Sequence, residues 1–135
     1  MKCKTLKDTK RLARTFAKEL KRRGSAVVLF EAPMGAGKTT FVRDVVRALG
    51  RFQVSATSPT FSLINKYSGN VYHIDLYRVE SADELLNTDF YEIISGDNIV
   101  FVEWAEKFEI KYPSGAIWVK IVVEEDGSRV FDIAY

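Results

Sequence analysis

The chain has 135 residues, 47% of them hydrophobic and 28% charged, which suits a single soluble domain with one core. No apolar run approaches the roughly 20 residues of a membrane span, and the charged amino-terminal stretch has no signal-peptide character, so a cytoplasmic protein without a membrane association is expected. One cysteine (Cys3) and one histidine (His73) exclude an intrachain disulfide and a zinc site built from these ligands.

The net charge of +2 is unevenly spread. Residues 1–23 hold ten Lys/Arg against Asp8 and Glu19, a local +8, while the remainder holds ten basic and sixteen acidic residues, −6. In this basic stretch Thr9, Leu12, Ala13, Phe16, Ala17 and Leu20 recur at three- and four-residue spacing. The spacing predicts an amphipathic helix over about 8–22, with Asp8 as N-cap and Arg23-Gly24 as its end. Its charged side reads first as a solvated face, because no aromatic residues interleave with the cations. A nucleic acid or an acidic partner is the second reading.

Ala26 to Phe30 is a buried-type strand. It runs into Glu31-Ala32-Pro33-Met34-Gly35-Ala36-Gly37-Lys38-Thr39-Thr40, whose end carries the signature of a phosphate-binding P-loop. Glycines let successive N–H groups turn inward around phosphate oxygens. A helix opening at Lys38 aims its free N–H groups at the same anion. Lys38 adds a point charge for the β- and γ-phosphates, and Thr39 offers a hydroxyl to Mg2+. The expected ATP-binding set is Gly35, Ala36, Gly37, Lys38, Thr39 and Thr40. Ala32 replaces the usual first glycine, which is acceptable if its φ is negative. The helix is expected over about 38–49, with Phe41, Val42, Val45, Val46 and Leu49 inward and Gly50 as its stop.

Val54 to Thr60 is small, polar and broken by Pro59. It reads equally as a plain connection or as a switch-like segment with Ser58 and Thr60 near the γ-phosphate. Phe61–Tyr67 and Val71–Tyr77, joined by Ser68-Gly69-Asn70, predict a hairpin. Residues 81–95 predict one helix with a Ser81/Glu84 capping box. Ile99-Val100-Phe101-Val102 is a wholly apolar run of the parallel-strand type. Ile117–Val123 and Arg129–Tyr135 predict a second, C-terminal hairpin.

A P-loop needs a second acid. Glu103, at the end of the apolar run, fits a Mg2+ ligand, and Asp75 fits a catalytic acid or base that orients water. His73 reads as a hydrogen-bonded structural residue. Trp104 reads either as a nucleotide neighbour or as a half-buried anchor. The expected architecture is a P-loop NTPase-like three-layer α/β/α fold with a mixed sheet and a C-terminal hairpin.

Gly35-Ala36-Gly37-Lys38-Thr39-Thr40-Phe41, Ser58-Pro59-Thr60-Phe61, His73-Ile74-Asp75-Leu76-Tyr77-Arg78 and Val102-Glu103-Trp104-Ala105 together resemble the bacterial TsaE (YjeE) family over nearly the whole chain. The resemblance implies a small Mg2+-dependent ATPase of N6-threonylcarbamoyladenosine formation at tRNA position 37. Its partners would be TsaD and TsaB, with tRNA met indirectly through that complex. It also implies Thr39 and Glu103 as metal ligands, Asp75 and Lys38 beside them in catalysis, and Thr9 near the nucleotide. The sequence departs from the family at Ala32-Pro33-Met34. A small P-loop kinase is the rival enzyme class, but the chain leaves little room for a lid and acceptor site. A non-hydrolysing nucleotide-binding regulator is the third class, and Asp75 and Glu103 argue against it.

Overall fold

Among the described residues, eight strands form one sheet in the order β1-β8-β7-β2-β6-β5-β4-β3. The strands are β1 (Lys2–Cys3), β2 (Ala26–Glu31), β3 (Gln53–Ala56), β4 (Ile64–Tyr67), β5 (Val71–Asp75), β6 (Ile99–Glu103), β7 (Ile117–Val123) and β8 (Arg129–Ala134). The computed structural model describes residues 1–56 and 64–135. The expected switch-like residues Ser58 and Thr60 lie outside the described residues, as does the start of the first expected hairpin.

At the centre, β7, β2, β6 and β5 run parallel, and both flanks are antiparallel. β2 and β6 are the apolar runs seen in the sequence, and they are buried because helices cover both faces. One face carries Val28, Phe30, Phe101 and Val119. It packs under two helices, α1 (Leu6–Arg23) and α2 (Lys38–Ala48), through Phe16, Leu20, Phe41 and Val45. The other carries Val27, Leu29, Val100 and Val102. It packs against Leu85 of a short 3-10 helix (Ala82–Asn87) and against Phe90, Ile93 and Ile94 of α3 (Phe90–Ser95). This is the expected mixed-sheet, three-layer P-loop NTPase-like arrangement with its C-terminal hairpin.

Four local features differ from expectation. The N-cap of α1 is Thr5, and Asp8 sits at the third helical position, where it completes a capping box: Thr5 Oγ1 accepts from Asp8 N at 3.1 Å, and Asp8 Oδ2 accepts from Thr5 N at 3.1 Å. The helix expected over 81–95 is two helices. Thr88 lies between them with extended backbone, its hydroxyl donating to the Leu85 carbonyl and accepting from Phe90 N. That side chain competes for the backbone groups a continuous helix would use. Ser81 makes no side-chain cap, while Glu84 Oε2 accepts from Glu80 N at 3.1 Å. Strand β1 was not expected; its two residues pair with β8. Among the described residues, no helix is long and apolar enough to cross a membrane.

Candidate functional site

The carboxyl ends of β2, β6 and β5 lie side by side, in register at Phe30, Glu103 and Asp75. Ligands of open α/β sheets bind at such ends. From the end of β2 the chain enters the loop of residues 32–37. Gly35 (φ 80°) and Gly37 (φ 93°) take left-handed backbone there, the region glycine enters without steric cost. At Gly37 space is limiting as well, since a Cβ would lie 3.3 Å from Arg129 Nε. Among the described non-glycine residues only Trp104 has positive φ, so Ala32 meets the condition set by the sequence. Its methyl is buried with the core that includes Phe30 and Phe41, burial the usual glycine could not supply.

Lys38 opens α2, yet its side chain is only 6% exposed. Nζ donates to the Ala32 carbonyl at 3.2 Å and lies 4.0 Å from the centroid of the Trp104 ring. The ammonium is therefore held inside the loop by a carbonyl and an aromatic face. Trp104 itself has φ 59°, an outlier for a bulky residue, and its ring also packs on Tyr77, 5.2 Å between centroids.

Glu103 is 3% exposed. Its two carboxylate oxygens accept from Thr39 Oγ1 at 3.1 and 3.2 Å, and Oε2 is also hydrogen-bonded to His73 Nε2. Burial alone would raise the Glu103 pKa. The His73 hydrogen bond and charge, the Thr39 hydroxyl and the Lys38 ammonium outweigh it and hold the carboxyl below its ordinary range. His73 thus has the structural, hydrogen-bonded role expected of it, with the acid of the site as its partner. Asp75 reaches the same cleft, where Oδ1 accepts from Tyr77 N at 3.0 Å.

These groups line an open cleft of about 420 Å3 with Met34, Gly35, Gly37, Thr40, Tyr77, Trp104 and Arg129. Two hard oxygen donors, Thr39 Oγ1 and Glu103, stand together beside the loop, a donor set that suits Mg2+ with several retained waters. A larger cavity, about 670 Å3, lies at the opposite ends of β2 and β6 near Ala26 and Asn98, and neither the loop nor an acid lines it.

Gly35, Gly37, Lys38, Thr39, Thr40, Asp75 and Glu103 are brought together as expected. Ala36 forms the loop but is fully buried behind the cleft. Thr9 is not a lining residue: it is buried in α1, and its hydroxyl donates to the Thr5 carbonyl at 3.4 Å. Sequence reasoning missed Arg129. From β8, its Nε donates to the Ala36 carbonyl at 2.7 Å, bracing the loop from behind while the residue lines the cleft. Its only local signal is a basic residue opening a strand, 93 positions from its partner.

Comparison with known proteins points to one family. Residues 3–131 match the family model described as threonylcarbamoyl adenosine biosynthesis protein TsaE. Curated relatives bear the description tRNA threonylcarbamoyladenosine biosynthesis protein TsaE. That of Treponema pallidum is 33% identical over 138 residues, covering 99% of this chain and 100% of its own. That of Rickettsia prowazekii is 33% identical over 130 residues (94% and 88%), and that of Aquifex aeolicus is 43% identical over 104 residues (74% and 71%). The crystal structure of a Bacillus YdiB is similar with TM-score 0.73 and 28% identity, over 99% of this chain and 83% of that one.

Proposed function

The chain belongs to the TsaE family of threonylcarbamoyl adenosine biosynthesis proteins, and from that membership we propose that its cleft binds Mg2+–ATP and hydrolyses it. The reaction serves formation of N6-threonylcarbamoyladenosine at tRNA position 37, through action on a TsaD–TsaB complex. The observation that carries the reading is the meeting of Lys38, Thr39 and Glu103 at one cleft behind a glycine-rich loop.

Each residue has a distinct part. The loop N–H groups and the start of α2 receive the phosphates. Lys38 exchanges the Ala32 carbonyl and the Trp104 face for β- and γ-phosphate oxygens. Thr39 and Glu103 would hold Mg2+, which supplies neutralisation of the charge gathering on the β,γ-bridge. Glu103 is suited to this because it is kept ionised. Asp75, one strand away in register, orients and deprotonates the attacking water.

The test is steady-state ATP hydrolysis with and without the TsaD–TsaB pair. The isolated chain turns over slowly and is stimulated by the pair. Asp75→Ala binds ATP and does not hydrolyse it. Transfer of phosphate to a small acceptor instead would move the chain to the kinase class.

A further inference from the structure

The outer side of α1 is the strongest feature that the cleft leaves unused. Lys7, Lys10, Arg14, Lys18 and Lys21 are all exposed. At about 100° per residue they fall within an arc of roughly 80°, on the side away from Leu12, Phe16 and Leu20. Among the described residues none of the five is ion-paired: the acids of this helix are engaged elsewhere, Asp8 in the capping box and Glu19 with Arg22 and Arg23. The arc thus holds five cations and no anion.

This arrangement works against the helix that carries it. Lys7/Lys10, Lys10/Arg14, Arg14/Lys18 and Lys18/Lys21 are like charges three or four residues apart, each such pair costing about 0.2–0.5 kcal/mol. Lys7 also sits in the first turn, near the positive end of the helix dipole, while Lys21 in the last turn is the one member of the arc that the dipole favours. A face needed only for solubility gains nothing from excluding acids. The five charges span about 21 Å at 1.5 Å rise per residue, a row long enough to lie along several successive phosphates of a nucleic-acid strand.

We infer that this arc of α1 is a direct RNA-binding face that grips the phosphodiester backbone. The choice of RNA goes beyond the proposed ATP hydrolysis and rests only on the family membership. A membrane surface fits poorly, because the apolar side of α1 is already spent in the core. An acidic protein fits poorly too, because the arc offers no aromatic or aliphatic anchor of the kind that carries protein interfaces.

The test is fluorescence anisotropy of the full chain with an unmodified, end-labelled tRNA transcript over a KCl series. Five phosphate contacts predict a slope of log K against log salt of about −4.5, hence a loss of roughly 500-fold between about 50 and about 200 mM. K10A/R14A/K18A should flatten the slope by nearly three and weaken binding at low salt by more than about tenfold. ATP affinity, measured on the same variant, should be unchanged, which shows that it is folded and separates this inference from the hydrolysis reading. A variant with the wild-type slope overturns the inference. So does binding to polyglutamate or to anionic phosphatidylserine vesicles that tRNA fails to displace.

Discussion

The hydroxyl of Thr39 and the carboxylate of Glu103 meet at 3.1 Å although 64 residues separate them. The contact joins the first turn of α2 to the end of β6 and sets two hard oxygens where the phosphates of a nucleotide would arrive. Glu103→Gln keeps the shape and removes the charge. Hydrolysis should fall and the Mg2+ requirement rise, each by at least about tenfold, the scale on which losing a charged group of a metal site acts. ATP binding without Mg2+, followed by calorimetry, should move little. Wild-type Mg2+ dependence in the variant would sink the ligand role.

Glu103 also gives stability a pH dependence of defined sign. Its folded-state pKa lies below the ordinary value of 4.5, with burial outweighed by His73, Thr39 and Lys38. Such a group stabilises the fold above its unfolded pKa, and the contribution is lost as pH falls through the folded value. Chemical denaturation of the wild type should therefore weaken from about pH 4.5 downward. Glu103→Gln should show a shallower decline over that window. Parallel acid limbs would mean that the carboxylate contributes nothing to the folded state.

Arg129 braces the loop through the Ala36 carbonyl, a charged hydrogen bond of the kind worth about 1.5–3 kcal/mol. Arg129→Ala should raise the Kd for ATP by about tenfold or more, since the loop must then be ordered at the expense of binding. Arg129→Lys should restore only part of this, because an ammonium lacks the planar fork that reaches the carbonyl. Unchanged affinity in the alanine variant would show that Gly35 and Gly37 hold the loop unaided.

Trp104 covers the Lys38 ammonium, 4.0 Å from Nζ to the ring centroid. The chain has two tryptophans, and Trp118→Phe leaves Trp104 as the only indole. ATP should change the emission of that variant as Lys38 leaves the ring for phosphate. Adding Lys38→Ala should abolish the change. Identical emission with and without saturating ATP would show that lysine and ring stay together.

Much of the framework was legible because it depends on local pattern. The stripe of Leu12, Phe16 and Leu20, the apolar run Ile99–Val102 and the Gly-Lys-Thr turn each announce their element through periodicity or backbone demand. The acids Asp75 and Glu103 were legible for the same reason, each ending a strand. What escaped depends on long-range pairing or on one competing side chain. Strand β1 exists only because β8 lies beside it, and a two-residue segment has no period to read. Thr88 divides a stretch whose apolar spacing otherwise suits a helix. Arg129 joins the site from β8, two strands away from β2, and Thr9, placed near the nucleotide by resemblance, is buried within α1.

The bond from Arg129 to Ala36 has a consequence for biosynthesis. Translation delivers the phosphate loop early and its brace 93 residues later. At about 5–20 residues per second the ribosome needs roughly 5–20 seconds to cover that interval. For most of it β2 lacks one or both of its parallel neighbours β6 and β7, and throughout it the loop lacks its brace. A chain truncated before β8 therefore keeps the P-loop sequence but lacks the side chain that braces it.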